Sequence, residues 1–368
     1  MSGLEPGYWS VCALTDPKGP KAALLSSIAA QIDRFGGNAR LVVHPLSARG
    51  ALRLAREILR ESSVPGRNAW FRFNWAIGPL IALIALRIRS RGGTTVLSVP
   101  TPVVVARKEF AGSKSKMQAV VKRIFAQPLF SVAAMTVDLI VEHGVPVDRG
   151  IRPHRKAAVV MPNPGPEVAK TAKAPCAYGP RREVKFVGVS SNGHYHRYER
   201  FLRGLVNYQR SAPGYPQVVV DIIGPLEAFS RERQLVNKFP ALGEAVRFHG
   251  LLSHEQLSEV IQAADIALGP LGAGACRGLE LGSALRHRHY MSLGLPFVSD
   301  LPDLALGDGS VDWARFVESS NAPIDVTDLI AWLHELDAHE FLPEMHRVVQ
   351  ESNVEHYVRN VIGALTRH

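Results

Sequence analysis

Residues 246–300 decide the fold, and they read VRFHGLLSHEQLSEVIQAADIALGPLGAGACRGLELGSALRHRHYMSLGLPFVSD. The pattern predicts a short strand with a turn, a capped helix, a buried strand, a glycine-rich loop, the basic start of a second helix and another buried strand. This order places a glycine-rich turn beside a helix N-terminus. Backbone N–H groups and arginines at such a place can hold phosphate. The stretch therefore indicates an α/β fold and a nucleotide-linked ligand.

The same alternation of strands and helices extends along the whole chain and predicts two Rossmann-like domains. Between Met161 and Arg182 five prolines and the lack of an apolar period indicate a linker. The last helical segments are expected over residues 327–335 and 342–366. We expect a first domain over residues 1–165, a linker over 166–182, a second domain over 183–345 and a C-terminal helix over 346–368.

Composition places the chain among globular proteins, with 368 residues and 46% hydrophobic residues. The three cysteines, Cys12, Cys176 and Cys276, are far apart and form neither a disulfide framework nor a zinc pattern. The N-terminus shows no signal-peptide pattern, and the apolar run from Trp75 to Leu86 is too short to cross a bilayer. We expect that run to be a buried helix and the protein to be cytoplasmic.

Charge is distributed unevenly between the two halves. Residues 1–180 hold 25 Lys and Arg against 10 Asp and Glu, whereas residues 181–368 hold 18 against 23. A basic half indicates an anionic partner, which could be a membrane surface, a phosphate-bearing lipid or nucleic acid. Residues 107–123 contain six cations and one acid, Glu109, among apolar residues. This segment could lie on anionic lipid, or it could be an ordinary solvated helix face.

Five landmarks in the 246–300 stretch match a known family in their order and spacing. They are Phe248–Gly250, Ala264–Leu268, Leu285–Arg286, Arg288–Tyr290 and Gly294–Phe297. Together they resemble the donor-binding half of GT-B glycosyltransferases of the retaining family-four type, above all those that build exopolysaccharide and cell-surface glycans. The resemblance implies two Rossmann-like domains facing a cleft, a nucleotide-sugar donor and a lipid-linked or surface-glycan acceptor.

Two further stretches extend this resemblance. Residues 186–188 and 196–208 are similar to the first strand and helix of the family's donor domain, although Arg197 replaces a glycine there. Residues 71–73 and 99–102 are loosely similar to acceptor-side strands. The resemblance also implies that a C-terminal helix crosses back to the first domain and that this domain takes the acceptor, which favours membrane association at the inner face of the cell membrane.

Departure of a nucleoside diphosphate needs cations and N–H groups aimed at the developing charge. Arg286 stands where the resembled family has a lysine, and we expect it to act on the diphosphate as a catalytic residue. Glu280 is the second catalytic candidate and is expected near the transferred sugar. The donor-binding candidates are His196, Arg200, Gly224, Arg277, Ser283, Leu285, Arg286 and His289. Lys18, Arg72 and Thr101 are the candidates for the acceptor or cleft.

The family's pair of glutamates, eight positions apart, is changed in this chain. The second position is His289, the first is Leu281, and Glu280 is one residue out of register. A loop can absorb such a shift, whereas on a helix it turns a side chain by about 100°. His289 can still form a hydrogen bond with ribose. An inactive relative with a retained fold is therefore an alternative.

The sequence contains no P-loop, no Asp-x-Asp pair that would hold manganese and no zincin spacing of histidines. We expect metal-independent chemistry and no cofactor other than the nucleotide sugar, which is a substrate. A basic α/β protein that binds membrane or nucleic acid without catalysis is the alternative from another class. Nucleic acid is not expected, because charge is its only support and no recognition motif is present.

Overall fold

The computed structural model of the chain describes residues 7–17, 20–45, 47–73, 77–102, 105, 116–146, 157–169, 182–190, 193–211, 216–274, 278–307 and 311–367. The chain forms two compact units. Unit 1 comprises residues 1–164 and 352–368, and unit 2 comprises residues 165–351. Each unit contains one parallel sheet of six strands with helices. This arrangement confirms the predicted α/β class with two Rossmann-like domains.

Unit 1 has the strand order β2-β1-β3-β4-β5-β7. Its strands are β1 (Tyr8–Leu14), β2 (Asn38–His44), β3 (Asn68–Arg72), β4 (Thr95–Val99), β5 (Leu139–Glu142), β6 (Val145–Pro146) and β7 (Ala157–Val160). Its helices are α1 (Pro20–Arg34), α2 (Ala48–Glu61), α3 (Gly78–Arg89), α4 (Lys116–Thr136) and α13 (Val354–Thr366).

Helices cover both faces of the unit 1 sheet because its strands are apolar on both sides. Helices α2, α3 and α4 bury Ile58, Ile84 and Phe130 in one core cluster. On the other face, α1 and α13 bury Ile28 and Val358 in a second cluster. Unit 1 is therefore a three-layer structure of helices, sheet and helices.

Unit 2 has the strand order β10-β9-β8-β11-β13-β14. Its strands are β8 (Glu183–Val189), β9 (Gln217–Ile223), β10 (Val246–Gly250), β11 (Ile266–Leu268), β12 (Leu279–Leu281), β13 (Phe297–Ser299) and β14 (Ala314–Phe316). Its helices are α5 (Gly193–His196), α6 (Glu199–Ser211), α7 (Ser230–Lys238), α8 (Pro240–Ala245), α9 (His254–Ala263), α10 (Leu285–Ser292), α11 (Val326–Glu335) and α12 (Ala338–Glu351). Short 3-10 helices cover Leu226–Phe229 and Leu304–Leu306.

The predicted order of elements in residues 246–300 is confirmed. Helix α9 begins with a capping box, in which Ser253 Oγ accepts from the N–H of Gln256 and Gln256 Oε1 accepts from the N–H of Ser253. Strand β12, which follows the glycine-rich loop, was not predicted. It has only three residues, too few for an alternating pattern to reveal.

Two expectations about helices were wrong. Residues 342–366 do not form one helical segment, because Asn353 Oδ1 accepts from the N–H of His356 and starts α13 as a separate helix. The helix expected over residues 75–86 is α3, and it is buried on one face only, since Leu83 and Leu86 are 65% and 53% exposed. Among the described helices, none is both long enough and apolar enough to cross a membrane.

Candidate functional site

The strand order of unit 2 reverses direction beside β8, and this marks the place where a ligand is expected. From β8 the chain proceeds outward through β9 and β10 on one side, and through β11, β13 and β14 on the other. In open parallel sheets, ligands bind outside the carboxyl ends of the strands at such a switch point. In unit 2 the switch point lies between the ends of β8, at Val189, and of β11, at Leu268.

Arg286 and His196, which are 90 residues apart in sequence, meet at this switch point. Arg286 Nη1 donates to the carbonyl of Val189 and lies 2.9 Å from Nδ1 of His196. Because an arginine can only donate, Nδ1 of His196 accepts this hydrogen bond. Arg286 is half-buried and His196 is buried. The structure therefore brings together two predicted donor-binding residues, whose roles stay predictions.

Two buried tyrosines that the sequence reasoning did not assign lie beneath this arginine. Tyr198 donates to the carbonyls of Val189 and Leu268, at 3.1 and 3.2 Å, and Tyr290 donates to Leu268 at 3.3 Å. Burial raises the pKa of both phenols, while the charge of Arg286 opposes that rise. Both tyrosines stay neutral and bridge the ends of β8 and β11. Their only signal in sequence was their place among the family landmarks.

The N-terminus of α10 has no side-chain cap. Its N-cap residue is Ala284, which has no side chain that can accept from the first-turn N–H groups. The helix dipole adds partial positive charge at the same place. Leu285 and Arg286 are the first two residues of this helix, and Ser283 precedes the cap. Predicted donor residues therefore surround an uncapped helix start that carries an arginine.

A buried ion pair fixes α10 to the 3-10 helix that follows β13. Asp303 accepts from Nδ1 of His287 at 2.9 Å and from Nη2 of Arg288, and all three side chains are fully buried. Burial alone would raise the pKa of Asp303, but the Arg288 charge and the His287 hydrogen bond lower it to about 2. Burial lowers the pKa of His287. Asp303 thus holds the helix that presents Arg286.

In the described part of the glycine-rich loop, two N–H groups are hydrogen-bonded to a carboxylate of the protein itself. The N–H groups of Ala273 and Gly274 donate to the carboxylate of Asp300, at 3.0 and 3.2 Å, and Ser319 Oγ donates at 2.8 Å. Burial raises the pKa of Asp300, whereas these hydrogen bonds lower it. An internal carboxylate therefore occupies the place of an anion. Arg277, predicted in the same loop, lies outside the described residues.

Arg200 has an internal structural role in unit 2. It is buried, and its guanidinium donates to the carbonyls of Ala322, Leu271 and Glu318. Burial lowers the pKa of Arg200, and the negative charge of Asp300 raises it in part. Its donors are used within the protein, and a role for Arg200 in donor binding stays a prediction.

Backbone geometry explains two positions near the strand ends. Gly224, a predicted donor-binding residue, has φ +142°, and a Cβ there would lie 1.8 Å from the carbonyl oxygen of Ser190. Only glycine allows β9 to end so close to β8. Arg197, which replaces a family glycine, has φ 46° and so keeps the left-handed conformation that glycine favours.

The two residues that replace the family's carboxylate pair lie on different elements. Glu280 is exposed on strand β12, and His289 is half-buried in the middle of α10. The shift to Glu280 therefore occurs on an extended segment, where neighbouring side chains point to opposite sides. Whether either residue contacts donor stays a prediction.

Unit 1 places Arg72 at its own switch point. The strand order reverses between β1 and β3, and Arg72 is the last residue of β3. Thr101 follows the end of β4, while Lys18 lies outside the described residues. Burial lowers the pKa of Arg72, and Tyr357 opposes this. Among the described residues, no side chain forms a hydrogen bond or ion pair with Arg72.

A buried polar network that was not predicted accompanies Arg72. His143 Nε2 lies 2.9 Å from Ser98 Oγ and 3.3 Å from the hydroxyl of Tyr357, and its Nδ1 lies 3.0 Å from the Met161 carbonyl oxygen. Burial raises the pKa of Tyr357. Because a carbonyl can only accept, Nδ1 carries the proton and Nε2 accepts. No sequence pattern predicts this set, whose members come from β4, from the residue after β5 and from α13.

Unit 2 also contains a cavity that is lined by none of the predicted site residues. This cavity of about 380 Å³ between β14, α11 and α12 is lined by Trp313, Trp332 and several carboxylates. Its lining includes residues 311–313, which precede β14, whereas the switch point lies at the carboxyl ends of the strands. Within the part of the chain that the structure describes, no group of His, Cys, Asp or Glu could hold a metal ion.

Comparison with solved structures identifies the fold. The α,α-trehalose 6-phosphate synthase of Burkholderia multivorans is 14% identical and has a TM-score of 0.60 over 99% of both chains. The glycosyltransferase of Rickettsia africae is 9% identical, with a TM-score of 0.60 over 99% of both chains. The chain has the GT-B fold. The resemblance found in the sequence is confirmed at this level, whereas its family-four and exopolysaccharide detail stays a prediction.

A third solved structure is similar over part of its length. The pneumococcal O-GlcNAc transferase GtfA, in complex with UDP and GlcNAc, is 11% identical and has a TM-score of 0.51. The match covers 85% of this chain and 59% of GtfA, so the chain spans about three fifths of that protein. No protein-family model matches the chain, and no curated protein sequence matches it.

Proposed function

We propose that the protein is a glycosyltransferase that moves a sugar from a nucleoside-diphosphate donor to an acceptor. The observation that carries the proposal is Arg286 at the uncapped start of α10, beside the switch point of the unit 2 sheet. Solved proteins with this fold include a glycosyltransferase and an O-GlcNAc transferase complexed with UDP and GlcNAc. Since one fold hosts many functions, the local geometry supports the proposal more than the likeness does.

The proposed chemistry needs a group that stabilises the leaving diphosphate. When the bond between the anomeric carbon and the diphosphate oxygen breaks, its electron pair stays on that oxygen. Arg286 and the first-turn N–H groups of α10 would donate to this charge, and one such donor typically lowers the barrier by about 3 kcal/mol. His196 holds the guanidinium in place. Glu280 would act near the sugar, and retention of configuration rests on the resemblance alone.

The acceptor side and the setting are further parts of the proposal. Arg72 and Thr101, at the carboxyl edge of the unit 1 sheet, are the proposed acceptor residues. We propose a lipid-linked or cell-surface glycan acceptor, metal-independent transfer and a cytoplasmic protein at the inner face of the membrane. The basic character of residues 1–180 supports an anionic membrane partner.

Nucleotide binding tests the proposal directly. UDP, GDP and ADP should be added in turn to the purified protein, and at least one should raise the midpoint of thermal unfolding, since a ligand of the native state stabilises it. Arg286→Ala should weaken that nucleotide's binding by about tenfold or more, as expected for a lost charge-assisted hydrogen bond. Arg347→Ala, at an exposed arginine of α12, is the matched control. The proposal fails if no nucleotide raises the midpoint.

The exposed position of Glu280 favours one alternative, a GT-B-like protein that binds nucleotide without transfer. Hydrolysis or transfer of the preferred nucleotide sugar distinguishes the two. If Glu280→Gln lowers turnover while nucleotide binding is unchanged, the catalytic role of Glu280 is supported. Binding without any turnover over a panel of donor sugars and acceptors would favour the inactive protein.

A further inference from the structure

Exposed apolar side chains are concentrated on one helix layer of unit 1. Nine of the fifteen large apolar residues that are exposed in the described part of the chain lie on α2, α3 and α4. We call these nine residues the apolar outer face. They are Leu52, Leu59, Leu83, Leu86, Val120, Ile124, Phe125, Val132 and Met135.

The exposed side chains of α4 that the structure describes are all apolar. Val120, Ile124, Val132 and Met135 recur at helical spacing and are 39–59% exposed, and Pro128 between them is exposed too. From the first to the last of these residues the stripe is about 22 Å long at 1.5 Å per residue. A surface helix normally turns polar residues outward. Helix α4 therefore has apolar sides both toward the core and toward the solvent.

The three helices present their exposed residues on the same side. All of them bury residues in the cluster that covers one face of the unit 1 sheet, among them Leu54, Ile81 and Ala133. Helices α3 and α4 also lie directly against each other. Their outward sides therefore belong to the same layer, which includes Leu83 and Leu86 of α3 and the stripe of α4. Exposed apolar patches of this extent mark interaction sites.

The charge around this face is positive. Helices α3 and α4 contain no aspartate or glutamate, and α3 ends with Arg87 and Arg89, which are exposed. Arg89 also lies 3.4 Å from Asp138, which follows α4. Helix α2 carries further exposed arginines, whereas its two acids, Glu57 and Glu61, form ion pairs with Arg40. An apolar surface surrounded by cations is complementary to a bilayer whose headgroups are anionic.

The opposite helix layer of the same unit provides an internal comparison. The exposed positions of α1 and α13 include Asp33, Arg34, Glu355 and Arg359, which are polar and of both signs. Unit 2 has only two large exposed apolar residues in its described part, Leu226 and Leu251. The apolar and basic combination is therefore specific to the layer of α2, α3 and α4.

We infer that the apolar outer face binds directly to an anionic lipid bilayer. Apolar side chains such as Leu83 and Phe125 enter the interface between headgroups and acyl chains, and the arginines of α2 and α3 contact the anionic headgroups. The face overlaps residues 107–123 at Val120; within that range the structure describes the backbone of α4 from Lys116 and the side chain of Val120. Binding needs no turnover, so this proposal stands or falls independently of the transferase activity.

Sedimentation with lipid vesicles tests the inference. The full-length protein should bind vesicles made of equal parts phosphatidylcholine and phosphatidylglycerol, and bind vesicles of phosphatidylcholine alone more weakly. The variant Leu83→Glu/Leu86→Glu should lower the partition coefficient by about tenfold or more, because each leucine loses the apolar area it buries in lipid. Both side chains are largely exposed, so the fold should be retained, and circular dichroism checks this.

Leu251→Glu is the matched control, since Leu251 is 79% exposed but lies in unit 2. It should bind vesicles as the wild type does. Arg87→Ala/Arg89→Ala should weaken binding at low ionic strength and less so at high salt. The inference is overturned if the wild type does not bind the anionic vesicles, or if Leu251→Glu loses binding equally. It is also overturned if Leu83→Glu/Leu86→Glu disrupts a dimer in sedimentation velocity while vesicle binding persists, since the face would then belong to a second copy.

Discussion

Protonation of His143 should control the stability of unit 1 in acid. The side chain is 3% exposed, with Ser98 and the Met161 carbonyl as hydrogen-bond partners. Burial and the charge of Arg72 lower the pKa of His143 to about 3, although hydrogen bonds to backbone carbonyls oppose this. The folded protein therefore holds a neutral imidazole throughout mildly acidic pH.

The sign of the effect follows from comparing folded and unfolded chains. An unfolded histidine has a pKa of about 6.5, so below that pH the unfolded state binds a proton that the folded state does not. The contribution of His143 is complete above about pH 6.5 and is lost as the pH falls toward about 3. Between about pH 7.5 and about pH 5, the free energy of unfolding should fall by about 2 kcal/mol from this residue alone.

Urea unfolding at these two pH values measures the effect. Tryptophan fluorescence monitors the unfolding, because Trp9 and Trp70 lie in the unit 1 core. His143→Gln keeps a hydrogen-bond acceptor but cannot titrate, so its loss of stability in acid should be smaller than that of the wild type by about 2 kcal/mol. His356→Gln, at an exposed histidine of α13, should behave as the wild type does. Equal pH dependence in wild type and His143→Gln would refute the reasoning.

Three other substitutions test the structure. Gly224→Ala should destabilise unit 2 by about 3 kcal/mol in urea unfolding, because Gly224 has a positive φ and an added Cβ would meet the Ser190 carbonyl. Gly243→Ala is the control and should be neutral or stabilising, since an added Cβ there would have no atom within 4 Å. Asp303→Asn should cost about 3–5 kcal/mol in guanidinium unfolding, because the buried Arg288 charge loses its carboxylate. Asn353→Ala should cost about 1 kcal/mol by removing the cap of α13, and Asn353→Ser should restore most of it in thermal unfolding.

Much of the fold could be predicted from the sequence, because its strands are short apolar runs separated by turns. Strands β4 and β9 are examples, since β-branched residues make up most of both. Strand β14, with three residues, was missed. The break before α13 was missed as well, because the polar pair Ser352 and Asn353 interrupts an apolar period only briefly.

The candidate site could be predicted only in part. Arg286 and His196 were selected from the family landmarks, and the structure places them together. Arg200 was selected in the same way, but its guanidinium is used by backbone carbonyls that come from later parts of the chain. Sequence spacing cannot reveal which partner a buried arginine will find, since the partner is chosen by tertiary packing.

The sequence by itself determined the periodicity of strands and helices, the two-domain α/β class and the basic character of the first half. These follow from local preference and composition, which need no knowledge of distant contacts. Only the tertiary structure decided that Asp300 fills the glycine-rich loop, that His143 is buried beside Ser98, and that the outer side of α4 is apolar. Each of these depends on which residues the folded chain brings together and which it leaves in solvent.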